Sequence, residues 1–114
     1  MTDDDDDLPV EEVERRRELR GVFPGLRIAL SAPRAAAFEA VEASSRSFFV
    51  RAPNPEDFRL GEVFDARVEH SGRAAACRLE VVRKELVPRS GIAFRLAHID
   101  PANETVLREI LQLQ

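Results

Sequence analysis

The chain has 114 residues, a hydrophobic share of 44% and a charged share of 33%, which favours one globular domain. A single cysteine excludes an internal disulfide framework, and no run approaches the roughly 18 apolar residues of a membrane span, so we expect no membrane insertion. The acidic start does not match a signal peptide, so we expect a cytoplasmic protein.

Charge is unevenly distributed along the chain. Residues 1–14 contain eight acidic residues, among them the run Asp3 to Asp7, and no basic residue. Because like charges repel, we expect residues 1–13 to form a disordered acidic tail. Four arginines follow within residues 15–20. Residues 21–114 carry 13 basic and 12 acidic residues, and this near-neutral body argues against a nucleic-acid polymer as partner.

Six segments after the basic cluster have the short length and alternating apolar pattern of β-strands. They cover residues 26–32, 35–44, 47–51, 62–70, 73–84 and 90–97. The segment 35–44 is rich in alanine, and its pattern fits a helix as well as a strand. Prolines and polar residues predict a loop over residues 52–57, and Ser71-Gly72 predicts a hairpin turn.

The C-terminal segment changes to the period of a helix. Asp100 is a suitable N-cap and Pro101 a suitable first helical residue. The apolar residues that follow recur at helical spacing: Val106, Leu107, Ile110 and Leu111. We therefore predict an amphipathic helix that docks on the sheet. Six strands and one terminal helix predict a small antiparallel barrel or sandwich.

The sequence contains no arrangement typical of catalysis. It lacks a nucleophile elbow and a glycine-rich phosphate loop. His70, Cys77 and His98 are not at the spacing of a metal site. Cys77 lies on the apolar side of a predicted strand, which indicates a small buried hydrophobe. We therefore expect no enzyme, no catalytic residue, no metal site and no cofactor.

The order of several motifs resembles the PilZ domain family. Arg16 and Arg20 form an RxxxR pattern just before the first predicted strand, with Arg15 ahead of them. Residues 42–47 stand about where the family has a D/N-x-S-x-x-G motif. Later segments that fit are 79–83, 91–94 and the helix from Pro101. The resemblance covers about residues 14–112. It implies a mainly β, six-stranded antiparallel PilZ-like barrel with a C-terminal helix and a flexible N-terminal arm.

The resemblance implies a receptor for the bacterial second messenger cyclic di-GMP. Arginine suits that ligand because its fork binds phosphate or the guanine edge and its plane stacks on a base. The implied ligand-binding residues are Arg15, Arg16, Arg20, Glu42, Ser44 and Ser47. The receptor would act through an unidentified protein effector, in motility, exopolysaccharide synthesis or surface behaviour, as a monomer or a homodimer.

The second motif departs from the family pattern. Glu42 replaces Asp or Asn, Ser47 replaces glycine, and Arg46 stands where the family often has another glycine. If position 47 requires φ > 0, its side chain costs about 1–2 kcal/mol. Strand alternation predicts that Glu42 and Ser44 share one face.

Two other functions fit the sequence. A degenerate PilZ domain would have lost the ligand and would act as a protein–protein interaction adaptor. An unrelated small barrel would bind RNA or single-stranded DNA, although most phenylalanines lie at core-like positions instead of forming a stacking surface.

Overall fold

A computed structural model describes residues 24–86 and 90–112 of the chain. Within these residues the chain forms six strands, a short 3-10 helix and one α-helix. The strands are β1 Arg27–Ala32, β2 Ala36–Ala43, β3 Ser47–Arg51, β4 Val63–His70, β5 Arg73–Glu85 and β6 Gly91–His98. The 3-10 helix is Pro55–Asp57 and the α-helix, α1, is Pro101–Gln112. The predicted acidic tail and arm lie outside the described residues.

The six strands close into a barrel in the order β1-β2-β3-β6-β5-β4, and every neighbouring pair is antiparallel. The predicted mainly β barrel with a C-terminal helix is thereby confirmed, and the sandwich alternative is wrong. The alanine-rich segment 35–44 forms strand β2. It pairs with β1 on one side and β3 on the other. These long-range pairings override the helical preference of its alanines.

The barrel interior follows the predicted alternation on β4 and β5. Its buried residues there are Phe64, Ala66, Val68, Ala75, Cys77, Leu79 and Val81. The connecting turn has Ser71 at φ 52° and Gly72 at φ 80°, as a two-residue turn with both central residues left-handed requires. The predicted hairpin is therefore confirmed, and it fixes which residues of both strands face inward.

Helix α1 begins and docks as its sequence predicts. The backbone N–H of Asn103 donates to the Asp100 carboxylate over 2.8 Å. This bond and the Asn103 side-chain bond hold the pKa of Asp100 below its usual value. Leu107 and Ile110 are buried in the core cluster. The Asn103 side-chain oxygen also accepts from the N–H of Ala76 in β5 over 2.9 Å, so polar and apolar contacts both hold the helix on the barrel.

The loop between β3 and β4 is fastened to the barrel by two cations. Arg34 donates to Glu62 over 2.7 Å, and its guanidinium carbon lies 4.8 Å from the ring centre of Phe58 and 5.1 Å from that of Phe64. Lys84 donates to the backbone carbonyl of Phe58 over 2.7 Å. The hydrogen bond from Arg34 lowers the pKa of Glu62, which favours the charged pair.

Candidate functional site on the outer face of the barrel

The strand register defines an outer face on β3, β6 and β5. Phe48 pairs with Phe94 and is buried in the core. The residues next to them on each strand, Ser47 and Arg95, pair on the opposite side. We call the following set the outer face: Ser47, Phe49 and Arg51 on β3, Gly91, Ala93 and Arg95 on β6, and Glu80, Arg83 and Glu85 on β5. The turn between β2 and β3 lies at its edge.

Ser44 stabilises the turn between β2 and β3 through hydrogen bonds of its side chain and backbone. It is only 4% exposed, and its hydroxyl oxygen accepts from the N–H groups of Arg46 over 3.2 Å and Ser47 over 3.1 Å. It also lies 3.2 Å from the Ser47 hydroxyl. Its backbone N–H donates to the carbonyl of Ser47 over 2.8 Å. Ser44 therefore holds the shape of the turn, and its hydroxyl is committed to bonds within the protein.

A β-bulge directly precedes Glu42 in β2. The register with β3 shifts between Ala40, which pairs with Val50, and Glu42, which pairs with Phe49. Ala40 and Ala43 are both buried in the core although they are three residues apart. Beyond the bulge the pairing is continuous, and Ser44 lies opposite Ser47 of the outer face, which agrees with the prediction that Glu42 and Ser44 lie on one side of the strand. The bulge turns Glu42 outward with Phe49, while Ser44 lies beyond the strand end and is buried.

Ser47 fits its position without backbone strain. It is the first residue of β3 and pairs with Arg95. Among the described residues other than glycine, only Ser71 has a positive φ. The conditional cost of a side chain at position 47 therefore does not arise. Arg46, the other departure, has an exposed side chain, and its backbone carbonyl accepts from the N–H of Leu96 over 2.7 Å.

Phe49 is an outward-facing aromatic residue that is nevertheless only 5% exposed. Its ring occupies the space that a side chain at position 91 would need, because a Cβ on Gly91 would lie 2.3 Å from Phe49 Cζ. The guanidinium carbon of Arg83 lies 6.0 Å from the ring centre. This contact of Phe49 with Gly91 and Arg83 was not predicted from the sequence. The three consecutive apolar residues from Phe48 to Val50 were its signal, because such a run indicates a strand buried on both faces.

Charged residues surround this apolar centre. Arg83 pairs with Glu85 over 3.1 Å, and Arg95 pairs with Glu80. Arg46 precedes β3 and Arg51 is its last residue, and neither forms an ion pair within residues 24–86 and 90–112. The face therefore combines an apolar floor with fork-shaped cations at its edges, an arrangement able to hold a planar anionic ligand.

The predicted site residues divide into two groups. Glu42, Ser44 and Ser47 lie together at the β2–β3 turn, with Ser44 in a supporting position. Arg15, Arg16 and Arg20 lie outside the described residues, so the arginine half of the site stays a prediction.

Other reactive chemistry is sparse in the described part of the chain. No group of three or more His, Cys, Asp or Glu residues is arranged there to hold a metal ion. Cys77 is buried in the core, and this burial raises the pKa of its thiol to about 12. Among residues 24–86 and 90–112, no helix is both long and apolar enough to cross a membrane.

No model of a protein family matches the chain, and no curated protein matches it.

Proposed function

We propose that this chain is a cytoplasmic, non-enzymatic PilZ-type receptor for cyclic di-GMP that acts through a protein effector. The observation that carries the proposal is the outer face: an apolar floor beside a hydrogen-bonded turn, with Glu42 and Ser47 on the strands at either side of the turn, on a closed six-stranded barrel with a C-terminal helix. The arginines of the RxxxR pattern precede β1 in the sequence and supply the remaining cations.

The chemistry of each part suits a ligand with two phosphates and two guanines. Arginine guanidinium groups bind phosphate oxygens in pairs and offer two donors to guanine O6 and N7. The Glu42 carboxylate is an acceptor for the guanine N–H groups. The Ser47 hydroxyl is a donor or an acceptor at the edge of the same face. Ser44 keeps these groups in place through the turn it holds.

Calorimetric titration of the purified chain with cyclic di-GMP tests this proposal. The Arg16→Ala/Arg20→Ala double variant and a titration with GTP are its controls. We expect saturable binding to the native chain, its loss in the double variant and no comparable binding of GTP. Equal binding by the native and doubly substituted chains would contradict the assigned role of the arginines.

The second candidate is a degenerate PilZ domain that serves as a protein–protein interaction adaptor. Two observations favour it: the Ser44 hydroxyl is occupied within the turn, and the exposed Arg46 adds bulk beside it. Absence of both binding heat and a thermal shift at high cyclic di-GMP concentration would support the adaptor and exclude the receptor.

A further inference from the structure

The outer face carries a preformed planar cation that the PilZ resemblance does not assign to the ligand. Arg83 is exposed over 58% of its side chain, yet two contacts restrict it. One is the ion pair with Glu85 over 3.1 Å, and the other is the ring of Phe49, 6.0 Å from the guanidinium carbon. A guanidinium restricted in this way loses less conformational entropy when it stacks on a planar partner.

The position of Arg83 relative to the turn matches an extended ligand. Glu42 pairs with Phe49, Phe49 with Ala93, and Ala93 with Arg83, so one row of residues crosses β2, β3, β6 and β5. The path along the curved barrel wall between the ends of the row covers three strand spacings, or about 14 Å. The small side chain of Ala93 lies between them. An extended ligand with two bases that lies along this wall can therefore contact Glu42 at one end of the row and Arg83 at the other.

We propose that Arg83, supported by Phe49 and Glu85, is a base-stacking residue that holds one guanine of the ligand on the outer face. This inference rests on the proposed receptor function. It assigns the stack to a strand of the barrel, separate from the arginines that precede β1. The plane of the side chain matters more than its charge, because a base offers a π-face and no negative charge to this group.

A set of substitutions at position 83 separates the plane from the charge. Arg83→Ala removes both, Arg83→Lys keeps the charge, and Arg83→Tyr keeps a plane. We expect Arg83→Ala to raise Kd for cyclic di-GMP about tenfold or more, as the loss of one stacked base does. Arg83→Lys should lose most of that affinity, and Arg83→Tyr should retain most of it.

Arg67 offers a matched control on another part of the barrel. It is exposed over 62% of its side chain and pairs with Glu69 over 3.1 Å, almost as Arg83 pairs with Glu85. No aromatic ring contacts it among the described residues. Arg67→Ala and Arg67→Lys should therefore leave Kd unchanged.

The titrations distinguish failure of this inference from failure of the receptor proposal. If the native chain binds and Arg83→Ala binds equally well, the stacking role is wrong and the receptor stands. If Arg83→Lys binds like the native chain and Arg83→Tyr does not, Arg83 acts by charge and the stacking role is again wrong. If the native chain does not bind cyclic di-GMP, the receptor proposal and the stacking role both fail.

Discussion

Gly91 is a position on the outer face where a larger side chain does not fit without movement of its neighbours. A Cβ built there would lie 2.3 Å from Phe49 Cζ, 2.9 Å from Phe49 Cε2 and 2.6 Å from the backbone oxygen of Val50. The ring can turn away, but the Val50 oxygen belongs to the neighbouring strand and moves only with it. Overpacking of this kind costs about 1–3 kcal/mol, and the backbone contact puts Gly91→Ala in the upper half of that range.

Urea unfolding measures this cost. We expect Gly91→Ala to lower the free energy of unfolding by about 2–3 kcal/mol with an unchanged m-value. Gly61→Ala is the control, because a Cβ there meets nothing within 4 Å and costs only the strain of its φ of 88°. It should lose about 1–2 kcal/mol.

Repeating Gly91→Ala in a chain that also carries Phe49→Leu separates the cost of the contact with the ring from the cost of the contact with the backbone. Phe49→Leu removes the two closest ring atoms but leaves the Val50 oxygen, so Gly91→Ala in that background should cost less and still cost something. An unchanged unfolding midpoint in Gly91→Ala would refute the close packing of Phe49 on β6. Complete rescue by Phe49→Leu would refute the backbone contact.

Four further outcomes follow from single contacts. Ser44→Ala should lower the free energy of unfolding by about 1–3 kcal/mol in urea titration, because the N–H groups of Arg46 and Ser47 lose their acceptor. In unfolding measured at a series of pH values, the free energy of unfolding of the native chain should fall as the pH drops below the ordinary Glu62 pKa of 4.5 toward its lower folded value. Glu62→Gln lacks the carboxylate beside Arg34, so its free energy of unfolding should fall less over the same pH range. The Cys77 thiol, with its pKa near 12, should resist Ellman's reagent at pH ~8 until urea unfolds the chain. Asp100→Ala should reduce helical circular dichroism and the thermal midpoint, because α1 loses its N-cap.

The hairpin of β4 and β5 shows what the sequence predicts well. Two strands of strict alternation flank Ser71-Gly72, and every inward residue follows from the pattern alone. Alternation works here because the register is continuous over the whole pair. Helix α1 was equally predictable, since its cap at Asp100 and its apolar spacing are both local signals.

Strand β2 shows where such prediction stops. Its alanines fit a helix as well as a strand, and only pairing with two neighbours decides between them. The bulge before Glu42 then shifts the inward residues by one position, and no residue type in the segment predicts a bulge there. Simple alternation from the buried Ala40 would place Glu42 inward, whereas the bulge turns it outward with Phe49. The contact of Arg83 with Phe49 depends on two strands that are not neighbours in the chain, so no local pattern could reveal it.

The geometry of the β2–β3 turn shows how much each departure from the PilZ pattern disturbs the backbone and the packing. Ser47 has extended backbone, so its side chain adds a hydroxyl at no conformational cost. The bulge directs Glu42 outward, where its extra methylene has room because the carboxylate is not enclosed by the core. Arg46 alone adds bulk, and its side chain is exposed in a turn that Ser44 already fixes. The local costs that would argue for a degenerate site are therefore small. Arg46→Gly tests this remaining departure: if its bulk at the edge of the outer face hinders the ligand, the variant should bind cyclic di-GMP more tightly than the native chain, and an equal Kd would show that Arg46 does not hinder binding.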